Sequence, residues 1–187
     1  MSKNSQQKKA KQFLALHKQD KLLVLPNIWN PITARILEAK GFPAAATASA
    51  AISSSLGYQD GEKINLSTHL DIIKRIVDSV DIPVTADIES GYAAEISELK
   101  ESTDKIIDTG VAGINIEDSK DGEGVIRDMN EQCDRIATVR EVSKERKVHL
   151  IINARIDCFL SKTSKPMPLR PMRPYLRPYT CRLGREA

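Results

Sequence analysis

Three features of this 187-residue sequence predict an α/β fold of parallel-barrel type, incomplete at about five βα units. Short apolar runs alternate with amphipathic segments. The runs begin near residues 22, 44, 82, 112 and 148, and the rhythm stops at Leu160, where a proline-rich text begins. Alternating strand and helix signals indicate βα units and a parallel sheet. The mean spacing of ~31 residues is one such unit, and eight of them would need the ~250 residues of a TIM (β/α)8 barrel. The expected domains are therefore a partial barrel over 1–160 and an irregular Pro/Arg-rich tail over 161–187.

Each element has a local signal. A polar lead-in, MSKNSQQKKAKQ, opens a helix expected near 5–19, and LLVLPN (22–27) reads as the first strand. PITARILEAKG (31–41) has proline in its first turn and glycine after its last, the usual helix boundaries. AAAT (44–47) is the second strand. The small-residue run ATASAAISSSLGYQDGE that overlaps and follows it reads as a loop whose backbone amides and Ser49 could approach an anion closely. Then come helix LSTHLDIIKRIVDSV (66–80), strand IPVTAD (82–87), a helix near 94–109, strand AGINIE (112–117), a helix near 130–145 and strand VHLIINA (148–154). Five of the nine prolines fall after Leu160. Proline removes a backbone donor and blocks both helix interior and central strand, so this text cannot supply strands six to eight. It reads as out-of-frame translation, with a natural Pro/Arg linker as the alternative.

Composition narrows the function classes. With 41% hydrophobic and 28% charged residues the chain has the make-up of a soluble globular protein, and no window approaches the ~20 apolar residues of a membrane span. The first residues lack the apolar core of a secretion signal, so a cytoplasmic protein is expected. Cys133, Cys158 and Cys181 form neither a metal pattern nor an even disulfide set and are expected as reduced thiols. The formal charge of +3 divides unevenly: residues 161–187 hold seven Lys and Arg and one acid, leaving 21 Lys and Arg against 24 Asp and Glu in 1–160. A slightly acidic body argues against a nucleic-acid partner.

In a parallel βα sheet every strand's C-terminal end lies on one face, where side chains converge. Those ends carry Asn27 and Trp29, Thr47 and Ser49, Asp87 and Glu89, Glu117 and Asp118, and Asn153, Arg155 and Asp157. Crowded carboxylates repel unless something positive lies between them. Oxygen-only ligands favour Mg²⁺ or Mn²⁺ over Zn²⁺. The alternative is that each acid is a helix cap or a surface charge. Arg155 offers a planar donor fork suited to a carboxylate or a developing oxyanion, or it forms a salt bridge to the neighbouring acids. His17, His69 and His149 read as structural, and Tyr92 and Trp29 as lining residues.

The segments PNIWNPITARILEAKGFPAAATASAAISSSLGYQDGE, IPVTADIESGY, GVAGINIEDS and IINARIDCFL follow one another over about residues 10–160. Together they resemble the isocitrate lyase and phosphoenolpyruvate mutase superfamily of TIM-barrel enzymes, most closely its phosphonomutase-like and carboxyphosphonate mutase-like members. The resemblance implies a magnesium site of Asp87, Glu89 and Glu117 with Asp60, some of them acting through water, and a catalytic part for Asp60 and Arg155. It also implies a substrate carboxylate held by Ser49 and the adjoining backbone at Ala50, with Thr47, Trp29 and Asn153 around it.

The implied activity is that of a Mg²⁺- or Mn²⁺-dependent lyase or decarboxylase. It would cleave a C–C or P–C bond beside a 2-oxo acid through a pyruvate-like enolate. The implied partner is a small 2-oxo, dicarboxylic or tricarboxylic acid, and an intact relative is expected to be a homo-oligomer. EDSKDGEGVIRD (117–128) lacks the cysteine of the superfamily's lyase loop and the longer loop of its mutases. A methylisocitrate-type lyase and a phosphonopyruvate-type mutase are therefore secondary readings, and Lys120 in that loop reads as solvated. A non-catalytic remnant is a further alternative. A Schiff-base aldolase would need an inward lysine, which the five strand ends do not offer.

Overall fold

The computed structural model describes residues 3–120 and 125–157. In chain order these form α1 (Lys3–His17), β1 (Asn27–Ile28), α2 (Pro31–Ala39), β2 (Ala45–Thr47), α3 (Ser49–Ser55), α4 (Leu66–Asp78), β3 (Val84–Asp87), α5 (Ile96–Asp108), β4 (Gly113–Glu117), β5 (Ser119–Lys120), β6 (Val125–Ile126), α6 (Met129–Glu145) and β7 (Ile151–Arg155). The main sheet is parallel throughout, with order β1-β2-β3-β4-β7. Spatial order follows chain order. That is the progression of a (β/α)8 barrel, whereas a doubly wound sheet reverses direction at a switch point.

Helix boundaries follow from capping. Asn30 and Thr33 form a reciprocal capping box at the start of α2, with Pro31 at the first helical position. Asn65 caps α4 by accepting the Thr68 amide at 2.9 Å. On α4 the buried His69, Ile73, Ile76 and Val77 recur at helical spacing and face the sheet. Ile73, Ile76 and Val77 join Ala86, Leu99, Ile106, Ile107, Ile114, Ile116 and Val139 in one core, each large side chain contributing about 1.5–3 kcal/mol by burial.

The helix α1 closes the end where the strands begin. Gln6 donates to the carbonyls of Ile107 (2.8 Å) and Val111 (3.1 Å), and the buried Lys9 ammonium to that of Val80 (2.7 Å). Phe13 packs so tightly on Gly113 that a Cβ there would lie 2.8 Å from its ring and 2.9 Å from the Ile151 carbonyl. The opposite end of the sheet is left to the polar residues.

Several elements differ from expectation. Of LLVLPN only Asn27 joins the ladder, with Ile28 beyond it, and Leu22 and Val24 are 90% and 56% exposed. Pro26 accepts the Ala46 amide through its carbonyl but has no N–H to carry the pairing further back. The run expected as a loop after β2 contains the helix α3, and EDSKDGEGVIRD contributes the antiparallel pair β5–β6. Cys133 is disulfide-bonded, where a reduced thiol was expected. The 161–187 tail also lies outside the described residues. Among the described residues no helix is long and apolar enough to cross a membrane.

Candidate active site

A cavity of about 360 Å³ opens on the inner face of the sheet, lined among others by Asn27, Thr47, Asp87, Asn115, Asn153 and Arg155. Its polar floor follows from strand register. Asp87, Asn115 and Asn153 are direct cross-strand neighbours on β3, β4 and β7, so their side chains project from the same level. They form a row: Asn153 Nδ2 donates to Asn115 Oδ1 at 2.5 Å, and Asn115 Nδ2 donates to Asp87 Oδ1 at 3.1 Å. The other Asp87 oxygen accepts the Ser49 hydroxyl at 2.9 Å and the Ser49 amide at 3.3 Å. Thr47 Oγ1 accepts the Asp87 amide at 2.9 Å. The Glu89 amide also donates to Asp87 Oδ1 at 3.3 Å, and two oxygens with four donors make Asp87 the most firmly held carboxylate of the set.

The second cluster lies one step further along β4 and β7. Glu117 faces Arg155 in register, with Oε2 at 3.2 Å from the guanidinium, while Ser119 donates to its Oε1 at 2.7 Å. Arg155 Nε also donates to Asp157 Oδ1 at 2.6 Å, and Asp157 is tied back through its amide to Asp118 Oδ1 at 2.9 Å. Burial pushes the Glu117 carboxyl up to about 7, against the pull of the Ser119 hydroxyl and Arg155. The alternative of an Arg155 salt bridge to neighbouring acids is what this structure contains.

Glu89 stands in a third environment. It is buried, with Tyr92 Oη donating to Oε1 at 3.0 Å and the Glu62 amide donating to Oε2 at 2.5 Å. Burial raises its carboxyl to about 7, opposed by those two hydrogen bonds and reinforced by the charges of Asp60 and Glu62. Glu62 in turn accepts from the Ser90 amide and hydroxyl and the Tyr92 amide through one oxygen, at 2.8–3.1 Å. The loop carrying DGE and the loop carrying ESGY thus clamp each other.

Of the expected site residues, Thr47, Ser49, Asp87 and Asn153 come together around one hydrogen-bonded row, and Glu117 pairs with Arg155. Glu89 is held apart by Tyr92 and Glu62. Asp60 is exposed and reaches Glu89 only through its charge. Ala50 is exposed in the first turn of α3, and Trp29 is 39% exposed beyond β1. Sequence reading overlooked Asn115 and Glu62. An asparagine two residues before Glu117 on an otherwise apolar strand was the signal for the first. A glutamate in a polar loop offered none for the second. Tyr92 and His69, expected as lining and structural, are hydrogen-bonded to each other, Tyr92 also to Glu89.

Among the described residues no three His, Cys, Asp or Glu side chains stand close enough to hold a metal by themselves. A hard dication needs no such cage, since it keeps several waters and takes one or two carboxylates. Asp87 in the cavity, with the side-chain oxygens of Thr47, Asn115 and Asn153 beside it, fits such an ion.

A parallel sheet in barrel order, with its polar set gathered at the strand C-termini, is the layout of a TIM-type barrel protein. A sequence model of the phosphoenolpyruvate phosphomutase family matches residues 13–173, and the chain belongs to that family, within the superfamily that includes isocitrate lyase. It is 33% identical over 147 residues to an uncharacterized protein of Mycobacterium tuberculosis H37Rv, covering 79% of this chain and 53% of that one. It is 30% identical over 139 residues to 2-methylisocitrate lyase of Aeropyrum pernix, covering 74% of this chain and 42% of the lyase. A solved structure from Burkholderia cenocepacia J2315, described as a phosphonomutase, matches with a TM-score of 0.80 and 35% identity over 83% of this chain and 63% of that one. The chain spans about half the length of the curated relatives it matches.

Proposed function

We propose that the whole protein is a Mg²⁺- or Mn²⁺-dependent lyase or decarboxylase acting on a C–C or P–C bond beside a 2-oxo acid. The observation that carries the reading is the inner cavity, where the firmly held Asp87 carboxylate and the Arg155 guanidinium line one space. Asp87 would hold the ion together with Glu89, Glu117 and Asp60, some of them through water. When bound, the dication would act as a Lewis acid toward the oxo group and carboxylate of the substrate.

The chain's own residues supply the rest. Ser49 and the backbone at Ala50 lie where one carboxylate of the substrate is gripped, and Thr47 fixes the strand end beside them. Arg155 shares the negative charge that develops on the oxygen as the bond breaks, a role in which a fixed, partly buried donor is worth more than water. Glu117 and Asp157 hold the guanidinium in place from one side. Asn153 lines the cavity where the rest of the substrate, a small dicarboxylic or tricarboxylic acid, would lie, and Trp29, exposed beyond β1, would cover it from outside.

The test is a panel of oxaloacetate, 2-methylisocitrate and phosphonopyruvate with Mg²⁺, with pyruvate followed through lactate dehydrogenase. Turnover that requires Mg²⁺ and is lost in Asp87→Asn and Arg155→Ala supports the reading. Turnover indifferent to both substitutions overturns it.

A further inference from the structure

The ladder between β4 and β7 ends at Glu117 and Arg155, because the chain after Glu117 turns away to pair β5 with β6. The main-chain carbonyl of Asp118 is engaged on the hairpin side, where it accepts the Arg127 amide at 2.8 Å. Its side chain serves β7 instead. Oδ1 accepts the amide of Asp157, two residues beyond Arg155, at 2.9 Å. A side-chain oxygen thus stands in for the ladder acceptor that the diverging main chain no longer offers. Asp118 and Asp157 are both buried, at 2% and 6% exposure. Taking a carboxylate out of water carries a desolvation cost that a main-chain carbonyl in the same place would not.

Arg155 is where this contact has its effect. Among the described residues β7 is an edge strand, so the end of the strand is steadied from the β4 side only. A guanidinium on a long stem has much rotamer freedom to lose there. Asp157 Oδ1 accepts its Nε–H at 2.6 Å, and Glu117 Oε2 lies 3.2 Å from Nη1. The donors of an arginine lie in one rigid plane. Holding it at Nε and Nη1 fixes that plane and leaves Nη2 for the cavity that Arg155 lines. Asp157 lies past the last residue of β7, so its carboxylate is only as fixed as its own main chain. Asp118 holds that main chain.

We propose that Asp118 is a positioning residue: by holding the Asp157 amide it fixes the carboxylate that orients the Arg155 guanidinium, and so sets how tightly the site takes an anionic substrate. It rests on the reading above, in which Arg155 faces the substrate.

The experiment follows the Arg155 Nε–H by nuclear magnetic resonance of the nitrogen-labelled full chain, identifies its signal by its loss in Arg155→Lys, and measures its exchange with solvent. Oxalate binding in the presence of Mg²⁺ is measured beside it by calorimetry, since oxalate has the planar oxygens of an enolate next to a carboxylate. Asp118→Ala is expected to speed Nε–H exchange and to raise the oxalate Kd, each by about tenfold, the worth of one hydrogen bond. Asp118→Asn keeps an oxygen for the Asp157 amide and is expected to stay within about threefold of wild type in both. Unchanged exchange in Asp118→Ala overturns the proposal, and so does faster exchange with an unchanged oxalate Kd. Equal acceleration in Asp118→Asn assigns the effect to charge and overturns it as well. Loss of the near-ultraviolet circular dichroism of Asp118→Ala does the same, by making Asp118 a fold support. An oxalate Kd unchanged in Arg155→Ala, or undetectable binding by wild type, removes the reading of Arg155 and the proposal with it. A Kd weakened in Arg155→Ala with unchanged exchange in Asp118→Ala overturns the proposal alone and leaves that reading standing.

Discussion

Asn115 donates its carboxamide to Asp87 Oδ1 at 3.1 Å while accepting from Asn153, so one neutral side chain links the two outer members of a three-strand row. Two consequences follow from its being uncharged. Asn115→Ala removes a donor from a charged acceptor and strands Asn153, which is expected to lower unfolding free energy by about 1.5–3 kcal/mol in urea titration. Asn115→Asp keeps the shape but opposes two carboxylates, so its loss should be larger at pH 8 than at pH 5, where one of the pair can hold a proton. Equal losses at both pH values would show that the row is steric and not electrostatic.

Stability of the metal-free protein is expected to fall as pH rises from 5.5 to 8. Glu89 and Glu117 titrate at about 7 in the fold, against an ordinary carboxyl value of 4.5. The folded state binds more protons in that window, so the stability these groups contribute is full below 4.5 and lost as pH passes 7. Each pKa unit is worth at most about 1.4 kcal/mol per group. His69 works the other way, since its neutral form is favoured: its contribution is present above 6.5 and lost as pH falls through about 4. Two carboxyls outweigh one imidazole up to pH 6.5, and above that only the carboxyls change. Thermal melts from pH 5.5 to 8 check this. Saturating Mg²⁺ should stabilise more at pH 8 than at 5.5, because ligands must be deprotonated to bind. A melting temperature that climbs with pH in the metal-free protein contradicts the burial argument.

Arg155 and Glu117 lead to opposite expectations for chemistry and for metal. Arg155→Lys keeps a charge but loses the planar fork that spans Glu117 and Asp157. Turnover in the proposed reaction is expected to fall by about 100-fold, the order seen when one oxyanion donor is lost. Mn²⁺ affinity should not weaken, because a cation that competes for Glu117 has been loosened. Parallel loss of both would mean that Arg155 organises the metal site and does not face the substrate.

The barrel order was legible because each βα unit carries its own punctuation: Pro31 and Asn65 start helices, and apolar runs such as IPVTAD and AGINIE end in acids. The strand ends were legible for the same reason, and Asp87 with Ser49 and Glu117 with Arg155 meet as their places in parallel strands require. What could not be read was how acids of one type divide among environments. Nothing in the spacing of Asp87 and Glu89 says that one is held by Ser49 and Asn115 while the other turns into Tyr92 and the Glu62 amide. That division depends on left-handed backbone at Glu89 and Tyr92, enforced by Arg135 from a helix some 45 residues further on. The first strand was overread because LLVLPN has strand composition, yet its partner β2 reaches only from Ala45 to Thr47.

Gly91 is expected to be the most sensitive small residue of the site. Its φ is +104°, and a Cβ there would lie 2.7 Å from Leu99 Cδ1, within a core side chain that cannot swing away freely. Gly91→Ala therefore combines backbone strain with a clash, and a loss of about 2–4 kcal/mol is expected from the two together. Because residues 89–92 also carry Glu89 and Tyr92, relief of the clash should displace the carboxylate as well. Mn²⁺ affinity is thus expected to fall even where urea titration shows the protein still folded. Gly57 provides the comparison: its φ is +82° but nothing lies within 4 Å of an added Cβ. Gly57→Ala should cost about 1 kcal/mol from backbone strain alone and leave metal binding unchanged. Equal effects of the two substitutions would show that the turn at 89–92 is no more constrained than a surface loop.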